Sequence, residues 1–385
     1  MSPHRIPLPC AQVVLLPEGA GALWVLHLAG PVSAPEWEAV AASRPGDCVA
    51  VVLDLGGTAA GPGAAGVPPV VATALDRFPG RLIVIGARPD GWRPAGTVST
   101  AASVADAVDR CRRPRCTHRP PPGSPGAPAP LESGAVDGPL HHLVRKMRAR
   151  TAVAQAQGVL QGRYAIGAAD ALELLKTVAQ RHNLKLRHLA SAVVVVKAPP
   201  PHGPWFPGRG RRPTPPVPLG ERRAVALTNH TEVLSASLRR AAELTDAPTG
   251  LVRLVDPLTG GLVVEAHLGD ESAALEIRRP PGEDGVRAAR PGVPVTVLDT
   301  ALPGAEAPWG RTRHGVALVD GGGRFLGDVS VFRPGPHGVL AAPAARGLCA
   351  LGRGTGAWLT WHHRTVVLDA LEGLHARAVA LTAGP

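Results

Sequence analysis

The middle of the chain contains the uninterrupted stretch RTAVAQAQGVLQGRYAIGAADALELLKTVAQRHNLKLRHLASAVVV, residues 150–195. The stretch contains no proline and is rich in alanine, leucine and glutamine, which favour helices. Breaks in the apolar pattern fall at Ala165–Gly167 and at Arg181–Asn183. Two apolar faces at helical spacing lie beyond these breaks, one formed by Ala168, Ala171, Leu172, Leu175, Val178 and Ala179 and the other by Leu186, Leu189, Ala190 and Val193. When the preceding residues from Leu140 onward are included, the sequence predicts three consecutive helices.

The same region carries most of the excess positive charge of the chain. The 385 residues have a formal net charge of +11. Between His141 and Lys197, ten lysines and arginines stand against two acidic residues, Asp170 and Glu173, which leaves an excess of eight positive charges. Such a concentration favours a polyanionic partner, and the alternative is an ordinary solvated helical surface.

Residues 139–197 resemble an ANTAR domain, the RNA-binding antitermination module of bacterial regulators. Small, apolar, basic and other polar positions agree across all three predicted helices, namely Arg150, Val153, Ala156, Gly158, Val159, Leu160, Arg163, Asp170, Ala171, Leu175, Lys176, Ala179, Asn183, Leu186, Leu189 and Ala190. The resemblance implies binding to paired short stem-loops in nascent transcripts, which stabilises an antiterminator. We also expect the small residues Ala156 and Gly158 to permit close approach of the helices.

Seven residues of this module are predicted to contact RNA. Five of them are cations suited to phosphate contacts: Arg150, Arg163, Lys176, Lys185 and Arg187. His188 is a candidate for stacking on an unpaired base, although an ordinary surface histidine is the simpler interpretation. Gln157 stands where the family has lysine, and Gln161 stands where it has methionine. Glutamine still donates and accepts hydrogen bonds, so we predict altered RNA affinity or preference with an unchanged fold.

Two proline-rich stretches, residues 118–138 and 198–220, separate this module from the rest of the chain. Their proline spacing excludes helices and central strands, so we expect semi-rigid spacers. The chain is therefore predicted to be a multidomain α/β protein with a terminal domain on each side of the ANTAR-like module.

Residues 1–117 alternate short apolar runs with helical stretches, which predicts a small α/β domain. Predicted strands lie at Leu23–Leu28, Cys48–Leu55 and Arg81–Ile85, and Ser103 is expected to cap a helix over Val104–Cys111. The segment resembles a STAS domain on the basis of Leu28–Val32, Asp54–Leu55 and a Gly-rich turn. That turn, Gly61–Gly66, contains no hydroxyl, so the phosphorylatable serine of the family is missing.

Residues 221–385 predict an α+β domain with a mostly antiparallel sheet. A helix over Ala224–Thr245 is followed by a hairpin around the turn Asp256–Gly260, by three later strands and by closing helices. This layout resembles a GAF domain on the basis of Leu251–Leu254, Val297–Asp299 and Phe325–Ser330. GAF domains bind small molecules or serve in dimerisation, so the resemblance implies a small-molecule ligand or a protein partner here.

The sequence lacks the motifs of the common enzyme classes, and we expect no catalytic residue and no cofactor. Cys111, Cys116 and His118 offer only three ligands beside a proline-rich tail, so no metal site is predicted. No apolar run is long enough to span a bilayer and the first residues do not resemble a secretory signal, so we expect no membrane partner and a cytoplasmic location.

Two alternatives to an RNA-binding regulator remain open from the sequence. A helical DNA-binding module would also present basic faces on short helices. A protein-interaction scaffold with an ANTAR remnant would account for Gln157 and for the missing STAS serine.

An apolar stripe formed by Leu140, Leu143, Val144 and Met147 further suggests a homodimer.

Overall fold

The computed structural model describes residues 10–15, 21–28, 34–41, 44–45, 48–55, 71, 73, 75, 81–85, 98–112, 138–200, 203–210, 212–220, 225–269, 286, 293–298, 312–334 and 339–382. The described strands are β1 Cys10–Leu15, β2 Ala22–His27, β3 Cys48–Asp54, β4 Arg81–Ile85, β5 Val98–Ala101, β6 Thr249–Val255, β7 Leu262–Leu268, β8 Pro294–Leu298, β9 Thr312–Val319 and β10 Phe325–Arg333. The described helices are α1 Ala34–Ala41, α2 Val104–Arg112, α3 Gly138–Tyr164, α4 Ala168–Arg181, α5 Leu186–Val195, α6 His230–Thr245, α7 Ala342–His362 and α8 Leu368–Thr382. A π-helical turn, His363–Val367, joins the last two helices.

The described strands form one sheet in the order β5-β4-β3-β2-β1-β8-β9-β10-β6-β7. Strands β2 to β5 pair in parallel, as expected where helical crossovers connect neighbouring strands. Strands β8, β9, β10, β6 and β7 pair antiparallel, as predicted for the C-terminal part. The turn between β6 and β7 is the predicted one, because the Gly260 N–H donates to the Asp256 carbonyl at 2.8 Å.

The two predicted terminal domains do not have separate sheets. Strand β1 pairs in parallel with β8, Val13 facing Val295, so the N-terminal and C-terminal strands share one sheet. Their side chains also share a core, in which Trp24 and Val51 pack together with Val295 and Ala317. Strand β1 is not among the predicted strands. The STAS interpretation of residues 1–117 stays a prediction, and its Gly61–Gly66 turn lies outside the described residues.

Helices α3, α4 and α5 pack together through apolar faces that the periodicity predicts in part. In α4, Leu174 is buried, whereas the predicted Ala168 is exposed and Leu172 is half-buried. Ala156, Leu160, Leu175 and Leu189 are fully buried there. Helix α4 ends at Arg181 as predicted, and Asn183 adopts a left-handed conformation with φ of 52°. The Leu184 N–H then donates to the Ala179 carbonyl at 2.8 Å, which closes the end of the helix.

This helical core includes residues from outside the predicted module. Leu371 and Leu374 of α8 are fully buried against it, so a fourth helix completes the core. Trp205, from the stretch predicted to be a spacer, is also buried in it and donates from Nε1 to the Lys197 carbonyl at 2.8 Å. The backbone N–H of Trp205 donates to Glu372 of α8 at 2.9 Å. The described part of 198–220 is therefore packed, and the spacer expectation is wrong for it.

None of the described helices combines the length and the apolar character that crossing a membrane requires.

Candidate nucleic-acid interface

The seven predicted RNA-binding residues fall into three structural groups. Arg150 on α3 and Lys176 on α4 form the first group, and both are exposed. Exposed cations on helices are available to phosphates without breaking an internal contact. These two positions therefore suit the predicted role as they stand.

Gln157 and Arg163, both on α3, form the second group and are half-buried. The Gln157 Nε2 donates to the Ala168 carbonyl at 3.1 Å, at the start of α4. The Arg163 guanidinium lies over the Trp205 ring, 5.3 Å from its centroid. Both side chains thus make contacts within the helical module, and their polar groups are only partly available to RNA.

Lys185, Arg187 and His188 form the third group, and all three contact one carboxylate, Glu265 of β7. We call these four residues the Glu265 cluster. The Lys185 Nζ and the Arg187 Nη2 donate to Glu265 Oε2 at 3.1 Å and 2.5 Å. His188 Nε2 lies 3.3 Å from Glu265 Oε1. A residue of the C-terminal part therefore pairs with three of the seven predicted RNA-binding residues.

The Glu265 side chain is only 5% exposed, whereas its three partners are 22% to 34% exposed. Burial alone would raise the pKa of Glu265, but the hydrogen bond and charge of His188 and the charges of Arg187 and Lys185 outweigh it. The pKa of this carboxyl is held well below its usual value, so Glu265 stays ionised at neutral pH and attracts the cations.

A cavity of about 750 Å³ lies beside the Glu265 cluster. Its walls are formed by helix α5, strands β6 and β7 and helix α7, so it lies between the helical module and the C-terminal part. His230 at the start of α6 and His362 at the end of α7 also line it, and their rings are 5.3 Å apart between centroids.

His230 and His362 are 6% and 3% exposed. The Nδ1 of His230 and the Nε2 of His362 have no hydrogen-bond partner among the described residues. Sequence reasoning missed His230, Glu265 and His362 because they are isolated residues far from the ANTAR-like segment. The fold alone brings them to His188.

Two further expectations concern single positions of α3. Ala156 is fully buried, as predicted for close helix approach, but Gly158 is exposed. A Cβ built on Gly158 would meet nothing within 4 Å, so the close-approach interpretation of this glycine is wrong. Met147 of the proposed dimer stripe is 58% exposed, and the other three side chains of the stripe lie outside the described ones. The homodimer stays a prediction.

The family profile described as "ANTAR domain" matches residues 141–194. This match covers the segment to which all seven predicted residues belong, so the chain contains an ANTAR domain. No curated protein matches the chain significantly.

Several solved structures are similar to parts of the chain. The GAF domain of a protein from Pseudomonas syringae pv. tomato is 16% identical, with 37% of this chain and 79% of that one covered and a TM-score of 0.27. The TePixJ cyanobacteriochrome GAF domain is 14% identical, with 41% and 99% covered and a TM-score of 0.27. An RNA-binding Light-Oxygen-Voltage receptor is 16% identical, with 62% and 68% covered and a TM-score of 0.14. Similarity at this level identifies neither a ligand nor a partner.

Proposed function

We propose that this ANTAR-domain protein is a non-enzymatic, cytoplasmic regulator that binds stem-loops in nascent transcripts and promotes antitermination. The observation that carries the proposal is the ANTAR match at residues 141–194 together with the charge of the same segment. Stem-loop RNA is recognised through its loop bases and its phosphates, which needs exposed cations and no catalytic group.

Control by the flanking domains is the second part of the proposal. Glu265 pairs with both Lys185 and Arg187, so the RNA phosphates and Glu265 compete for the same two side chains. RNA binding through these residues requires the Glu265 cluster to open. A signal that separates α5 from β7 would raise RNA affinity, and we infer that the C-terminal, GAF-like part receives this signal from a small molecule or a protein partner.

Binding of the full-length protein to a fluorescent tandem stem-loop RNA tests the proposal. Fluorescence anisotropy is measured at 50 mM and 200 mM salt, with and without excess duplex DNA of equal length. We expect the affinity to fall steeply with salt, because each phosphate contact contributes a slope of roughly 0.7 to 0.9 in log K against log salt. We also expect binding to survive the DNA competitor.

Each of the other outcomes points to one of the alternatives. Loss of RNA binding in duplex DNA, with tighter binding to the DNA itself, would indicate a helical DNA-binding regulator. Absence of binding to either nucleic acid at both salt concentrations would favour a protein-interaction scaffold with an ANTAR remnant.

A further inference from the structure

Three side chains from three different elements converge where the ANTAR domain meets the C-terminal part. His188 comes from α5, His230 from α6 and Glu265 from β7. One candidate ligand atom of each lies within 4.8 Å of the other two. The His188 and His230 rings meet edge to face with centroids 4.6 Å apart. Small side-chain movements would bring all three residues within reach of a single ion.

His230 supplies an independent sign that the group is suited to a ligand. The residue is only 6% exposed, and its buried Nδ1 lacks a hydrogen-bond partner among the described residues. Buried polar atoms in proteins nearly always have a partner, because an unsatisfied one loses its hydrogen bonds to water without a replacement. A metal ion satisfies a bare imidazole nitrogen of this kind.

The two oxygens of Glu265 have different surroundings. Lys185 and Arg187 both donate to Oε2, whereas Oε1 faces His188 Nε2 at 3.3 Å. Partners on one oxygen fix the orientation of a ligating carboxylate, as outer-shell groups do in known metal sites. The same two cations repel a metal ion, so we expect its affinity to be moderate.

The two buried histidines beside the Glu265 cluster, His230 and His362, both have lowered pKa values. Burial, assisted by the charge of His188, lowers the pKa of His230 well below its usual value. The pKa of the neighbouring His362 is lowered to about 4 for the same two reasons.

We propose that His188, His230 and Glu265 form a binding site for a divalent transition-metal ion, with Zn²⁺ the best fit. Two imidazole nitrogens and one carboxylate oxygen are a donor set that Zn²⁺ accepts, with a further position left for water or another ligand. Mg²⁺ and Ca²⁺ prefer all-oxygen sites and do not suit two histidines. The adjacent cavity has room for a small molecule beside the ion.

The regulatory consequence of this site rests on the proposed function. His188 belongs to the ANTAR domain, whereas His230 and Glu265 belong to the C-terminal part. A metal that needs all three binds the closed arrangement, in which Lys185 and Arg187 are held by Glu265. Because linkage is reciprocal, metal binding then lowers RNA affinity, and RNA lowers metal affinity by the same factor.

Titration of the chelator-treated, full-length protein with Co²⁺ tests the site without using RNA. Visible absorption reports coordination of the ion, and calorimetry with Zn²⁺ gives the stoichiometry. We expect one ion per chain in the wild type, and a loss of affinity of at least about tenfold in His230→Gln and in His188→Gln. His363→Gln, at another histidine that lines the cavity, is the matched control and retains wild-type affinity.

Circular dichroism of each variant shows whether it is folded, and His188→Gln, at a half-buried position, remains informative should His230→Gln unfold. Wild-type protein that binds no Co²⁺, or both variants binding it as tightly as the wild type, would overturn the metal site. The RNA titration is then repeated with and without saturating Zn²⁺. An RNA affinity that Zn²⁺ leaves unchanged would overturn the coupling between metal binding and RNA binding. A protein that binds no RNA at all would overturn the proposed function, and the metal titration would then test the metal site by itself.

Discussion

Arg150 and Lys176 are the two predicted RNA contacts that are exposed without opening any part of the structure. We predict that Arg150→Glu weakens RNA binding about tenfold and lowers the slope of log K against log salt by roughly 0.7 to 0.9 for the lost phosphate contact. Salt-dependent anisotropy provides the measurement. The control is Arg239→Glu, which makes the same charge change at an exposed position of α6 outside the ANTAR domain.

An equal effect of Arg150→Glu and Arg239→Glu would contradict this prediction. Such a result would mean that RNA responds to the total charge of the chain and not to a defined face of α3.

Asp328 illustrates how the sheet tolerates buried charge. Its fully buried carboxylate accepts from Arg253 Nε at 3.0 Å, from Arg313 Nη2 at 3.2 Å and from the Ser330 hydroxyl at 2.5 Å. Removing the charge leaves two buried guanidinium groups with less compensation. We predict that Asp328→Asn lowers the free energy of unfolding by about 3 to 5 kcal/mol, as measured by denaturant titration.

Asp246→Asn is the control for Asp328→Asn, because the Asp246 side chain is 97% exposed and lies at the end of α6 with φ of 52°. Asparagine tolerates this left-handed conformation, so we expect a change below about 0.5 kcal/mol. A loss of stability of similar size in the two variants would indicate that the Asp328 network contributes nothing specific.

At the scale of single elements, α3 contains a glycine that no contact requires. Gly158 is exposed within the helix, and an added Cβ would meet nothing within 4 Å. We predict that Gly158→Ala stabilises the protein by about 1 kcal/mol, because alanine loses less conformational freedom in a helix. Thermal unfolding followed by circular dichroism measures the change.

A second helical glycine gives the opposite expectation and serves as a control. A Cβ on Gly356 of α7 would overlap the backbone carbonyl of Val319, which cannot move aside as a side chain can, so Gly356→Ala is predicted to destabilise the protein. A lower melting temperature for Gly158→Ala would refute the first expectation. Unchanged stability with weaker RNA binding would instead show that RNA approaches α3 at Gly158.

Helix α8 supplies part of the core of the ANTAR domain. Ala370, Leu371 and Leu374 are fully buried, with Trp205 packed beside them. A fragment of residues 139–197 lacks all four residues and exposes the apolar surface that they cover. We therefore predict that this fragment unfolds without a cooperative transition, whereas the full chain melts cooperatively. A cooperative transition in the isolated fragment would show that α3, α4 and α5 suffice.

At the scale of the whole molecule, the sequence predicts features with local causes. The end of α4 before Asn183, the Ser103 cap of α2 and the hairpin turn at Asp256 depend on residues a few positions apart, and all are observed. The pairing of β1 with β8 depends on residues about 280 positions apart and could not be predicted. The outward position of Gly158 and the packing of Trp205 likewise follow from the tertiary fold.

The candidate site, too, could be predicted from the sequence only in part. Charge and family resemblance identify the cations of the ANTAR domain, but no sequence pattern connects Lys185 with Glu265, which is 80 positions away. A lone glutamate in a strand carries no signal of its own. Only the fold shows that one buried carboxylate contacts three of the predicted RNA-binding residues and that His230 lies beside it.

The RNA affinity of Glu265→Gln, compared with that of Glu243→Gln, shows whether Glu265 restrains the ANTAR domain. Both changes remove one negative charge, but Glu243 lies on α6, where its side chain is 49% exposed and pairs with Arg240. If Glu265 restrains the ANTAR domain, Glu265→Gln binds the tandem stem-loop RNA about tenfold more tightly, a gain of about 1.4 kcal/mol, and Glu243→Gln binds like the wild type. Equal affinity of all three proteins, or the same gain in both variants, would contradict the account.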